Sequence, residues 1–353
     1  MDISHNFFIL FEDNKAKLVN YKEKKEYHIR KEYMNELIKL SSAEEEVSDT
    51  TKIMKDLTQA GVLVEGNDKP EMYIHYYSNI FHNLSKNRSV TSNNTTEGEW
   101  ALEYIKVCER VAKEKFPERD SYVNYEKTIQ LPVATQSEES LLNTLKERKT
   151  IREFFDESVT QQQLSNILYF SYGNVHKDEG EYAPFYRRTS PSGGCLQIIE
   201  PYVTIFNVDG IPQGLYWYDS AEHKLCLVRE AFSYQDLREC LAGQFFANDC
   251  AFGVFMTANL EILNWKYKTE RNYKVVFLEA GHFAQTSQLM STSEDLQIWI
   301  TGAMTESLIE EACKIDGVKK IPVFFTAFGK GRKKSMHSLM QQKLDSYVES
   351  IKD

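Results

Sequence analysis

Five apolar runs in the second half of the chain constrain the fold most: PYVTIFNV (201–208), GLYWYD (214–219), FGVFMTAN (252–259), LQIWIT (296–301) and PVFFTAFG (322–329). Each has the length and the β-branched and aromatic content of a strand buried in a sheet. Helical patterns lie among them. One covers 138–147, a second opens at Thr160-x-x-Gln163 and closes at Gly173 around Leu164, Ile167 and Leu168, a long one spans 271–290, and a short one 308–315. Strands and helices do not alternate strictly, which predicts an α+β fold with a mixed core and not a doubly wound parallel sheet.

The 353 residues are enough for that unit and a smaller one. Residues 1–66 predict a winged-helix-like domain. KLVNYKEKKEYHI reads as a hairpin, Tyr33, Leu37 and Leu40 lie on one helical stripe, a second helix opens at Ser41-x-x-Glu44 with Val47, Met54 and Leu57, and VLVE resumes as strand. Residues 67–137 predict a linker and helical connection. SKNRSVTSNNTTEGE is polar and turn-rich, whereas WALEYIKVCERVAKEKF has helical spacing up to Pro117. Residues 138–353 form the main domain.

A formal charge of −10 argues against a surface built for nucleic acid. No run is long and uncharged enough for a membrane span, and the acidic amino terminus does not resemble a signal peptide, so the expected compartment is the cytoplasm. The six cysteines are scattered, with no C-x-x-C and no His/Cys cluster at zinc spacing, so neither a disulfide framework nor a metal site is expected.

Three stretches carry candidate chemistry. In ERKTIREFF, an extended backbone would put Arg148, Thr150 and Arg152 on one face, two guanidinium forks and a hydroxyl suited to a phosphate monoester or a polyol. In FYRRTSPSGGCLQIIEPYV, Pro191, Ser192, Gly193 and Gly194 run into a strand, and absent side chains let a flat group meet the backbone. In NWKYKTERNYKVVFLEAGH, Lys266 and Tyr267 stand between a strand and the long helix, a common place for active-site residues. Each alone is compatible with ordinary turn or surface chemistry.

Taken in order, ERKTIREF, YRRTSPSGGCLQIIEPYV, GLYWYDSAEHKL, KYKTERNYKVVFLEAGH and PVFFTAFG resemble the SagB-type, azoline-oxidising branch of the nitroreductase-like flavoproteins, over about residues 138–330. The resemblance implies a mainly antiparallel central sheet flanked by helices, an intertwined homodimer, and FMN as cofactor. It also implies oxidation of thiazoline or oxazoline rings to azoles in ribosomally made precursor peptides, with a cyclodehydratase complex as a partner. On the same footing, Arg148, Thr150 and Arg152 would hold the FMN phosphate and ribityl chain, and Pro191, Ser192, Gly193 and Gly194 would lie against the isoalloxazine. Lys266 and Tyr267 would be the catalytic pair, Thr301 and Gly302 the glycine turn at the flavin's polar edge, and Lys330 or Arg332 of GKGRKK would reach the phosphate. The chain departs from the pattern where relatives continue Ala-Leu-Tyr-Pro after Pro-Ser-Gly-Gly, reading CLQIIEP, and has EDL before the glycine turn. These departures bear on the substrate more than on the cofactor. Rival readings are a reductase of the same fold acting on dehydroamino acids, nitro compounds or quinones, and a non-catalytic scaffold subunit of a cyclodehydratase complex. The amino-terminal domain would then grip a leader peptide through an edge strand.

Overall fold

A computed structural model describes residues 2–42, 51–66, 75–86, 96–117, 125–178 and 185–350. The chain divides into two compact units, Met1–Asn94 and Thr95–Asp353.

In the first unit, β1 (Asp2–Ile3) pairs with β5 (Leu63–Val64), and β2 (Phe7–Glu12), β3 (Lys15–Asn20) and β4 (Lys25–His28) form an antiparallel meander. The helices are α1 (Lys31–Ser42), α2 (Lys52–Gln59) and α3 (Tyr76–Ser85). Phe7, Leu18, Leu37, Met54, Leu57, Val62 and Leu63 make the core, with Tyr33 and Leu40 packed against it. The expected hairpin is β3–β4. The second helix starts elsewhere than expected: Thr51 caps α2 by accepting from the Met54 amide, while Ser41 belongs to α1 and donates to the Ile38 carbonyl. Glu44 and Val47 lie outside the described residues.

The second unit opens with α4 (Glu97–Lys113). Its start is fixed by a capping box between Thr96 and Glu99, so the end of the stretch read as linker already forms a helix cap; residues 87–95 lie outside the described set. Next come β6 (Thr128–Gln130), α5 (Leu141–Glu147) and α6 (Gln161–Tyr172), the last capped by the Thr160–Gln163 box read from the sequence. A short pair, β7 (His176–Asp178) with β8 (Phe185–Arg187), precedes β9 (Ile199–Ile205), β10 (Gly214–Asp219), β11 (Lys224–Glu230), α7 (Tyr234–Cys240) and β12 (Phe252–Asn259). The remaining elements are α8 (Leu260–Lys266), α9 (Asn272–Ser293), β13 (Gln297–Thr301), α10 (Glu306–Cys313), β14 (Lys320–Gly329) and α11 (Ser338–Ser350).

Seven strands form one sheet in the order β13-β14-β12-β9-β10-β11-β6, every pair antiparallel. Side chains alternate across it. Val203, Val254, Met256 and Phe328 join Ile167, Leu168 and Phe283 on one face, while Tyr202, Phe255 and Phe325 join Leu237 and Ile309 on the other. Helices therefore cover both faces, and β9 and β12 are buried along their whole length. Gly253 interrupts this apolar run because a Cβ there would stand 2.5 Å from the Phe325 ring. The register of β12 against β14 shifts between Met256 and Thr257, opposite Pro322, whose missing N–H cannot serve the ladder.

Candidate functional site

The Pro-Ser-Gly-Gly segment is shaped from beneath by α9. Glu279, on the buried stripe of that helix and 2% exposed, accepts hydrogen bonds from Ser192 Oγ (2.9 Å) and the Ile198 amide (3.0 Å). Burial raises its carboxyl pKa, with the Ser192 and backbone bonds and the nearby Arg188 pulling the other way. Ser192 Oγ also accepts from the Gln197 amide at 2.8 Å, and the Pro191 carbonyl accepts from His282 Nδ1 at 3.3 Å. Held at both ends, the chain turns through Gly193–Cys195 with Gly194 at φ +65°.

Gly194 is required twice over. Its backbone is left-handed, and an added methyl would collide with the Tyr267 hydroxyl and lie 3.1 Å from Lys266 Nζ. The close approach that the glycine permits is thus made, in this chain, by two of its own side chains. Lys266 Nζ donates to the Gly194 carbonyl at 3.3 Å. The pair arrives by a route the sequence did not show. Lys266 ends α8, a helix capped by Asn259 through the Ile262 amide, and Tyr267 is the residue after it, so the junction is helix to helix and not strand to helix. Adjacent residues on a regular element point in different directions. The extended backbone at Tyr267 (φ −120°, ψ 110°), held through its carbonyl by Asn272 Nδ2, instead lets both side chains converge on Gly194.

Arg148, Thr150, Arg152, Lys330 and Arg332 form a second group. Thr150 bridges to Ile298 of β13, and Arg148 Nη1 donates to Gln288 Oε1 of α9 at 2.6 Å. Arg152 donates to the Ser335 carbonyl (3.2 Å), its guanidinium 6.0 Å from the Phe246 ring centre. The segment after β14 pairs back on this stretch: the Phe155 amide donates to the Lys330 carbonyl and the Arg332 amide to the Glu153 carbonyl. Lys330 and Arg332 pair with Glu157 (3.5 Å) and Glu153 (3.3 Å). Four cations from segments far apart in sequence are so drawn into two neighbouring strips. Thr301 and Gly302 belong to neither group; Thr301 Oγ1 ends β13 beside Gln244 and receives the Ala303 amide. Of the arginines in the Phe185–Val203 stretch, Arg188 is a structural pin, buried with its Nη1 on the Ile199 carbonyl (2.6 Å) and its guanidinium over Phe283.

Two contributors escape the sequence reading. Glu279 left a trace, a carboxylate at helical spacing among the apolar Val276, Ala280 and Phe283. Tyr104 of α4 left none, although its ring centre lies 5.9 Å from Lys266 Nζ.

Residues 145–330, more than half the chain, match the model of the nitroreductase family. The chain belongs to the nitroreductase family. Members of this family generally bind flavin and act as oxidoreductases. The chain resembles the Methanocaldococcus jannaschii protein MJ1384, itself named as a nitroreductase, with 28% identity over 203 residues, 58% of this chain and 97% of that one. It also resembles the trifolitoxin-processing protein TfxB of Rhizobium leguminosarum bv. trifolii, 27% identical over 134 residues, covering 37% of this chain and only 36% of TfxB. A crystal structure of a protein assigned as a nitroreductase, from Anabaena variabilis, superposes with a TM-score of 0.50 at 20% identity, over 68% of this chain and 50% of that one. That likeness establishes the nitroreductase fold. Among the described residues, no helix is long and apolar enough to cross a membrane.

Proposed function

We propose that the protein is an FMN-dependent dehydrogenase, of the SagB type, that oxidises thiazoline or oxazoline rings in ribosomally made peptides to azoles. The observation that carries this reading is the convergence of Lys266 and Tyr267 on Gly194, with TfxB, whose name assigns it to trifolitoxin processing, as a relative.

The donor chemistry fits FMN. Arg148, Arg152, Lys330 and Arg332 offer charge-assisted bonds to a phosphate from paired segments, and Thr150 adds a hydroxyl. Pro191 to Gly194 would face the ring, with Thr301 and Gly302 as the further turn. Dehydrogenation removes a proton and a hydride from adjacent ring carbons, and bound FMN supplies the hydride's acceptor. The chain's own contribution is the proton. Lys266 in its neutral form can take it, and Tyr267, whose hydroxyl reaches the same backbone position, can orient or relay it.

Helical phase supports a homodimeric site. Glu279 reaches Ser192 and Gln288 reaches Arg148, and nine residues at roughly 100° each put the two on opposite flanks of α9, ~13 Å apart along it. One protomer's phosphate donors and its own Gly194 therefore face different ways, which favours completion by a second copy. Exposed Leu141, Leu142 and Leu145 on α5 and Phe277 and Leu278 on the neighbouring α9 offer it an apolar surface. Residues 1–66 would serve as a winged-helix-like module for the leader of the precursor peptide, with 67–137 connecting it to the oxidoreductase domain 138–353. The edge strand β2, which exposes Ile9, Leu10 and Phe11, offers the pairing edge. A cyclodehydratase complex would supply the azoline.

The test is anaerobic single turnover with an azoline-bearing peptide. Wild type should bleach its flavin as the peptide loses two hydrogens per ring. Lys266→Ala and Tyr267→Phe should stay folded and yellow yet each react roughly 10²–10⁴-fold more slowly. A gain of two hydrogens would assign a reductase, and no change in wild type a scaffold; either outcome overturns the reading.

A further inference from the structure

The Lys266 head group is covered from the side that the nitroreductase motifs do not reach. Helix α4 lies there. Tyr104 turns its ring towards Nζ at 5.9 Å, Tyr267 presents its own ring at 5.6 Å, and the Gly194 carbonyl accepts at 3.3 Å. Tyr104 is itself braced along its helix: four residues earlier, Trp100 stacks on it with planes 1° apart and centres 5.6 Å apart. Both rings keep much of their surface open, Tyr104 being 41% exposed.

The placement of α4 is tied to α8 by contacts that flank Lys266 on each side in sequence. Trp265 Nε1 donates to the Glu114 carbonyl (3.3 Å), the Trp265 ring meets Phe116 edge-on with centres 5.0 Å apart, and Lys268 pairs with Glu114 at 3.5 Å. The residues on either side of Lys266 are thus committed to the end of α4, and Lys266 is committed to its middle. A lysine on four rotatable bonds would otherwise sweep a wide volume. Confining it to one position over Gly194 is what a proton-transfer group needs.

We propose that Tyr104 is a positioning residue for Lys266, so that α4, which lies wholly outside the segment matched to the family, completes the reaction site. It acts through its ring face, with Trp100 stacked on it as a brace, and not through its hydroxyl. The activity arm of the test rests on the proposed azoline oxidation; the labelling arm does not.

The experiment uses the full chain with Tyr104→Ala, Tyr104→Leu and Tyr104→Phe. In the first arm, flavin-free protein is treated with an acetyl N-hydroxysuccinimide ester, and acetylation of each lysine is followed by peptide mass spectrometry, with exposed Lys334 as reference. Losing the ring should change the Lys266 rate several-fold in the alanine and leucine variants, leave Lys334 unchanged, and leave Tyr104→Phe like wild type. In the second arm, azoline oxidation should fall about tenfold in kcat with KM within about twofold for alanine and leucine, and be kept by phenylalanine. An unchanged Lys266 rate in Tyr104→Leu, or a phenylalanine variant as impaired as alanine, overturns the proposal. Should alanine alone misfold, leucine and phenylalanine decide it. If labelling responds as expected while wild type leaves the azoline peptide untouched, the positioning role stands and the azoline reading falls.

Discussion

Glu279→Ala should be among the most damaging single changes in the second unit, and its size can be worked from contacts. The carboxylate, itself buried, receives the Ser192 hydroxyl and the Ile198 amide. Truncation strands these donors at about 1–3 kcal/mol each and leaves a void, while removing the cost of keeping a carboxylate out of water. The net loss should be about 3–5 kcal/mol, the range seen when one member of a buried charged network is deleted. For a unit of this size that is a fall in Tm of roughly 10 °C. Glu279→Gln keeps the volume and an acceptor but cannot ionise, and should lie near wild type. The pH dependence separates the two effects. Because burial raises the carboxyl pKa above its ordinary 4.5, the folded state holds the proton more tightly than the unfolded chain. The resulting stability is fully present below the unfolded value and is lost as pH rises through the folded one. Glu279→Gln should therefore gain on wild type as pH rises from about 4.5 towards neutrality. Urea titrations at several pH values measure both. A loss under about 1 kcal/mol for alanine, or a glutamine variant whose difference from wild type does not vary with pH, would refute the reasoning.

Gly194→Ala should displace Tyr267 and Lys266 and strain a φ of +65°, costing about 1–2 kcal/mol; an unchanged melting curve would contradict the left-handed turn. Arg152→Ala and Arg332→Ala should each weaken FMN binding, read as flavin fluorescence released on dilution, and full retention of FMN in the Arg148→Ala/Arg152→Ala double variant would remove the phosphate assignment. The His223 ring lies between Tyr218 Oη (2.7 Å) and Ser165 Oγ (2.8 Å), and burial lowers its pKa below 6.5. An imidazole more acidic in the folded state loses stability for the fold as pH drops below its unfolded value, so wild type should melt progressively earlier as pH falls below about 6.5. His223→Gln should flatten that slope; equal slopes would assign the acid sensitivity elsewhere.

The sheet was legible because buried strands declare themselves: GLYWYD and FGVFMTAN run from end to end of β10 and β12. The Thr160–Gln163 box was equally plain, since capping is local chemistry. The short helices α7 and α8 were not, being single stretches of seven residues whose existence depends on a cap and on tertiary packing more than on a period. Lys266 and Tyr267 could be named but not oriented, because adjacent residues converge only when one leaves the helix, and that turn is set by Asn272 and by the space at Gly194. Arg148, Thr150 and Arg152 were read as one face. The fully buried Ile151 lies among them as a strand pattern demands, but the destinations of the two arginines, α9 and the segment before α11, are tertiary facts.

The strand order sets a kinetic problem for synthesis. The interior strand β12 is flanked by β9, made before it, and by β14, made well after it, with three helices and β13 in between. The edge strand β6 must likewise wait for β11. Such non-local pairing makes loop closure precede its reward, so the sheet closes late and slowly. The first unit has its partners within 94 residues and can fold while the ribosome is still extending the second. Until β14 arrives, the whole apolar length of β12 has an open edge, and this interval is when the nascent chain most needs a chaperone's cover.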